Sequence, residues 1–185
     1  SGSKDSMRPA ARLLAEHGFV GLPVQYRLTG QAPWPAQIHD VKAAICWTRR
    51  NADRLEIEPD RIVLWGSSAG GHLALLAAGA PGHSTFDPRG VGSTEVAGVI
   101  AVHPPTTLFM PGDRPAHASD AANLMGKAAT VTRARAASPT TYVRADFPPS
   151  LFLHGSGDVL VPHAASQWMY DALIAAGAPA ELHLF

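Results

Sequence analysis

The sequence predicts an α/β fold built on a mostly parallel sheet, and three observations carry that prediction. Short apolar runs at 61–65, 96–102 and 151–154 alternate with longer stretches of helical periodicity. Gly- and Pro-containing turns separate the two kinds of segment. The run at 96–102 is apolar at nearly every position, the pattern of a strand buried on both faces. Strands alternating with helices imply right-handed βαβ crossovers, with helices on both faces of the sheet. Ligands of such sheets sit at the carboxyl ends of the strands, so chemistry is sought in the residues just after each strand.

Taken in order, Met7 to His17 carries Ala10, Leu13 and Leu14 at helical spacing and stops at Gly18. Phe19 to Tyr26 is rich in β-formers and too short for a helix, so a buried strand is expected despite Pro23. From Pro35 to about Asn51, the residues Ile38, Val41, Ala44, Ile45, Trp47 and Thr48 recur every three or four positions and mark a long amphipathic helix. A strand at Arg61 to Trp65 and an Ala/Leu-rich helix at Ala69 to Ala80 follow. After the strand at Val96 to Val102, the segment from about 104 to 146 is irregular and punctuated by Pro104, Pro105, Pro111, Pro115 and Pro139. It reads as an insertion over a pocket, with one short helix near Ser119 to Ala128. A strand at Leu151 to His154, a helix at Pro162 to Ala176 and a strand at Glu181 to Phe185 complete one domain spanning 1–185.

Composition narrows the function classes. With 15 Lys+Arg against 15 Asp+Glu the net charge is zero, and the basic stripe that a phosphate-tracking protein needs is lacking, so no nucleic acid is expected. Apolar residues make up 46% and charged residues 16%, which describes a folded chain with a large core. No apolar run reaches the ~18 residues of a membrane span, so a soluble protein without a membrane partner is expected, cytoplasmic or secreted. The lone Cys46 excludes an internal disulfide and reads as core packing. The nine His show no ligand spacing with a carboxylate, so neither a metal nor a cofactor is expected.

The strand at 61–65 runs into Gly66, Ser67, Ser68, Ala69 and Gly70 and then a helix. This is G-x-S-x-G in the strand-turn-helix setting that the motif requires, with Gly66 and Gly70 permitting a sharp turn. Ser68 is the candidate nucleophile, and Ser67 is off the motif by one. The Ala69 N–H opens the helix, where unpaired amides and the helix dipole favour an oxyanion. His72, one turn along that helix, points the wrong way for a base and reads as packing beneath the turn. On the loop after the strand at 151–154, Asp158 stands where the acid belongs in the order serine, acid, histidine. His154 reads as shaping that loop.

These residues resemble the α/β-hydrolase esterases of the hormone-sensitive-lipase-like and feruloyl/acetyl-xylan-esterase-like kind. The resemblance runs through Tyr26–Leu28 (YRL), Pro35–Asp40 (PAQIHD), Pro59–Ile62 (PDRI), Trp65–Ala74 (WGSSAGGHLA), Ser138–Val143 (SPTTYV) and His154–Pro162 (HGSGDVLVP). It implies an α/β-hydrolase fold and a serine carboxylic-ester hydrolase that forms an acyl-enzyme on Ser68, with Asp158 orienting a histidine. The implied substrate is a small-molecule or carbohydrate-linked ester. The family's H-G-G-G oxyanion segment and its N-terminal strands would precede Ser1, and its catalytic histidine would follow Phe185. His183 lies inside the last expected strand, and His163 at most touches the acid loop. By that resemblance a strand is missing between 19–26 and 61–65, which leaves open a closing-up of the flanking strands, a partner chain filling the slot, as in a homo-oligomer, or a longer chain. The isolated 185 residues are then expected to be nearly inactive. A non-catalytic hydrolase-fold derivative and a prolyl-oligopeptidase-like serine peptidase remain the alternatives.

Overall fold

The structure, a computed structural model, describes residues 3–88, 90, 92–109, 123–126 and 129–185. A 3-10 turn at Lys4–Met7 leads into α1 (Arg8–Glu16), which ends at Gly18 with φ 82, a conformation open to glycine without a Cβ penalty. The expected strand at 19–26 does not form. Its amide neighbours bond to side chains instead of a ladder: Lys4 N–H to Gln25 Oε1, Arg27 N–H to Asp40 Oδ2 and Leu28 N–H to Gln31 Oε1. Phe19, Val20, Leu22 and Val24 stay exposed. β-propensity measures fit to a pleated surface rather than an intrinsic backbone preference, and among the described residues no adjacent strand supplies that surface. The flanking strands therefore do not close up on one another.

Helix α2 (Ala36–Arg50) buries Ile38, Lys42, Ile45 and Cys46 and passes into the single turn α3 (Ala52–Leu55). The Arg49 guanidinium at its end donates to the carbonyls of Ser93 and Glu95 at 2.6 and 2.8 Å, which fixes α2 to the loop entering the sheet. Cys46 is buried, with its thiol pushed up in pKa chiefly by that burial, as a packing cysteine should be.

Four parallel strands follow: β1 (Val63–Ser67), β2 (Gly98–Val102), β3 (Ser150–His154) and β4 (Ala180–Leu184), in the spatial order β1-β2-β3-β4. The first begins two residues later than the sequence suggests and takes in Gly66 and Ser67. Helix α4 (Ala69–Gly79) is buried over nine positions, from Gly71 to Gly79, as expected of a helix apolar all round. It separates two clusters. Leu73, Leu76 and Ala77 meet Ile38 and Ile45 of α2, while Ala74, Leu75 and Ala78 meet Val99, Ala101 and Phe152 of the sheet. Helix α6 (Ala164–Ala176) joins the second cluster through Met169 and Leu173. On the other side of the sheet, Val63 and Trp65 are exposed and Ile100 and Leu151 half-buried.

Of the short helix expected near 119–128 only residues 123–126 are described, the first three of them helical. Further along, the irregular segment adds α5 (Val131–Ala136) and a 3-10 turn at Pro139–Tyr142. Ala134 and Ala137 are buried in the core, and the Ser138 hydroxyl donates to the Ala134 carbonyl while accepting from the Leu108 amide. This part of the segment is thus a layer of the core.

Candidate active site

Two turns at the carboxyl edge of the sheet carry the candidate residues. Gly66, in the last turn of β1, leaves no room for a side chain, since a Cβ there would fall 2.2 Å from the Gly70 carbonyl oxygen. Gly70 meets no such obstacle, so its share in the turn is its backbone, which packs under Gly66. Between them Ser68 has φ 52 and ψ −121, a left-handed conformation costing of order 1–3 kcal/mol for a residue with a Cβ. It is held there from both sides. The Ser68 N–H donates to the Val102 carbonyl at the end of β2, and its own carbonyl accepts the first bond of α4 from His72 N–H at 3.0 Å. Ala69 is the first residue of α4, so its N–H is among the amides that a helix start leaves unpaired.

The acid loop leaves β3 two strands away. Its turn closes with Asp158 N–H on the Gly155 carbonyl, and Asp158 Oδ1 accepts from the amides of Leu160 and Val161, both at 2.9 Å. The Val161 and Leu160 amides hold the carboxyl below the ordinary carboxylate value, with smaller help from the positive charge available on His103 and His154. Asp158 is therefore ionised at neutral pH, as a carboxylate that orients an imidazolium must be. Oδ2 lies 3.7 Å from His154 Nε2 and 3.9 Å from His103 Nδ1.

The histidines near these two turns each have a defined place. His72 is buried and Nε2 donates to the Ala137 carbonyl at 2.7 Å, which fits packing beneath the turn. His154, fully buried, donates from Nε2 to the Val161 carbonyl and bonds the Ser166 hydroxyl through Nδ1, both at 2.8 Å, so it pins the acid loop to α6. His163 caps α6. His183 lies inside β4, exposed, 3.3 Å from Glu181. Sequence reasoning does not single out His103, although it directly follows the strand at 96–102, where chemistry is sought. Its Nε2 lies 2.9 Å from Ser67 Oγ. Among the described residues no cluster of three metal-ligating side chains occurs, and no helix is long and apolar enough to cross a membrane.

A parallel sheet that carries G-x-S-x-G at a strand-to-helix turn, with a carboxylate on a later strand's loop at the same edge, is the arrangement of the α/β-hydrolases. The chain belongs to the BD-FAE family, one of the hormone-sensitive-lipase-like α/β-hydrolases, which it matches over residues 1–173. It is 33% identical to Esterase LipQ of Mycobacterium tuberculosis (strain ATCC 25618 / H37Rv) over 192 residues, covering 96% of this chain and 44% of LipQ. The chain thus spans less than half the length of that relative. Among solved structures, esterase Est2 from the Planctomycetes species Thermogutta terrifontis superposes with a TM-score of 0.85 at 28% identity, over 100% of this chain and 66% of that one. The same esterase has also been seen phosphoramylated by tabun. An acetyl ester-xyloside bifunctional hydrolase from Caldicellulosiruptor lactoaceticus gives 0.83 at 29% identity, over 96% of this chain and 65% of that one.

Proposed function

We propose that this chain carries the nucleophile and the acid of a serine carboxylic-ester hydrolase. The observation that carries the reading is the backbone of Ser68, held in a left-handed conformation between β1 and α4. A strained serine at that turn exposes its hydroxyl to a substrate. Ser68 Oγ attacks the ester carbonyl and passes its proton to a histidine that Asp158 holds in the required tautomer. The Ala69 N–H donates to the oxyanion as charge develops. The alcohol departs with the proton, and water then releases the acid from Ser68. Asp158 has one carboxylate oxygen tied to two amides and the other within 4 Å of the His103 and His154 rings, which suits it to orient rather than to transfer. Kinship with an esterase and with an acetyl ester-xyloside hydrolase supports a small acyl group on a small alcohol or a sugar as the substrate class.

Reaction of the full-length protein with a fluorophosphonate, followed by peptide mass spectrometry, tests the assignment. A new bond from Ser68 Oγ to phosphorus with loss of fluoride is expected, and none is expected in Ser68→Ala. An adduct confined to another residue overturns it.

A further inference from the structure

Three observations meet on His103. Its φ of 38 places a residue with a bulky side chain in the left-handed region, a conformation that persists only where the surroundings impose it. Its N–H is fixed to the Leu153 carbonyl of β3 at 2.8 Å. Its ring reaches in both directions along the sheet edge, with Nε2 2.9 Å from Ser67 Oγ and Nδ1 3.9 Å from Asp158 Oδ2. With the proton on Nδ1, the Ser67 hydroxyl donates to Nε2 and the ring N–H faces the carboxylate. The sheet order explains how one residue spans both. Because β2 lies between β1 and β3, a side chain at its end stands between the serine turn and the acid loop. Among the described residues the other titratable group facing this ring is His154, at a centroid separation of 6.3 Å.

Ser67 belongs to β1, whereas Ser68 has the first amide of α4 beside it. The His103 bond therefore lands one residue short of the nucleophile, where it can hold the turn without taking its proton. We propose that His103 is a positioning residue of this site. It links the Ser67 hydroxyl to the Asp158 side of the edge and so sets the separation between serine and acid that a proton-relaying histidine must fit. The proposal rests on Ser68 being the nucleophile.

The test is the rate of Ser68 phosphonylation by a fluorophosphonate in the full-length protein, measured well below the melting temperature of every variant. The variants are His103→Gln, His103→Phe, Ser67→Ala and the pair Ser67→Ala with His103→Phe. His103→Phe should slow the reaction roughly 3- to 10-fold, the worth of one hydrogen bond. His103→Gln, which keeps a side-chain amide at similar reach, should recover most of the rate. Ser67→Ala should match His103→Phe, and the double variant should be no slower than either, because both remove one contact. Unchanged rates, or losses that simply multiply in the double variant, overturn the proposal. So does an adduct on Ser67, which makes the Ser67–His103 pair itself the reacting one. Wild-type protein that takes up no adduct on either serine overturns the nucleophile assignment and the proposal with it.

Discussion

At Ser68 the requirements of stability and reactivity conflict, and the conflict can be measured. Replacing it with Gly relieves the positive φ, whereas Ala removes the hydroxyl and keeps the strain. Ser68→Gly should therefore melt roughly 2–4 °C above Ser68→Ala, the shift that about 1 kcal/mol produces in a chain of this size, while neither forms the phosphonyl adduct. Equal melting temperatures would mean that the turn is not strained. Asp158 makes a second prediction. Its folded pKa is lowered by the Val161 and Leu160 amides, so its contribution to stability is complete above the ordinary value of 3.8 and is lost as pH falls through the lower folded value. Denaturant titrations below pH 4 should show a smaller pH slope in Asp158→Asn than in the parent. Ser68, Ala69 and Asp158 were legible as candidates because motif spacing fixes local backbone geometry. His103 was not, since its partners lie 36 and 55 positions away along the chain and only the strand order brings them together.

Among the elements, the long helices and the parallel strands were readable from periodicity, and the failures share one cause. The segment at 19–26 has the composition of a strand, but a strand exists only with a partner, and partners are a tertiary fact. Within α2 the apolar stripe was read correctly at Ile38 and Ile45, yet Trp47 is 42% exposed while Lys42 is fully buried. Lys42 lies four residues after Ile38 and three before Ile45, so it shares their face. Its ammonium is satisfied by the Asp87 carboxylate and the Ala80 carbonyl, and Asp87 also accepts from the Thr94 hydroxyl and the Gly82 amide. Burial lowers the Lys42 pKa and the Asp87 contact opposes that shift. Removing only the carboxylate leaves a charge in the core, so Asp87→Ala should cost about 3–5 kcal/mol in urea unfolding, whereas Lys42→Met with Asp87→Leu should cost far less. Comparable losses in the two would mean that the pair is itself a main source of stability.

On a larger scale, β1 is the border strand of the sheet among the described residues, and Val63 and Trp65 on its outer face are 52% and 37% exposed. An open apolar strand edge is a template for another chain. Self-association of this chain should rise with concentration in light scattering and fall on Val63→Lys. Association unaffected by that substitution would direct attention to a different surface. The strand order has another consequence, for synthesis. Since β1, β2, β3 and β4 lie side by side in the order in which they are translated, none of these four strands has to wedge itself between two of the others that have already paired. Each newly emerged strand can dock on the border left by its predecessor while the ribosome is still working, as domains fold progressively from the N-terminal side. The serine turn, tied through Ser68 N–H to Val102, can then be set as soon as β2 has docked, well before the loop that carries Asp158 has been made.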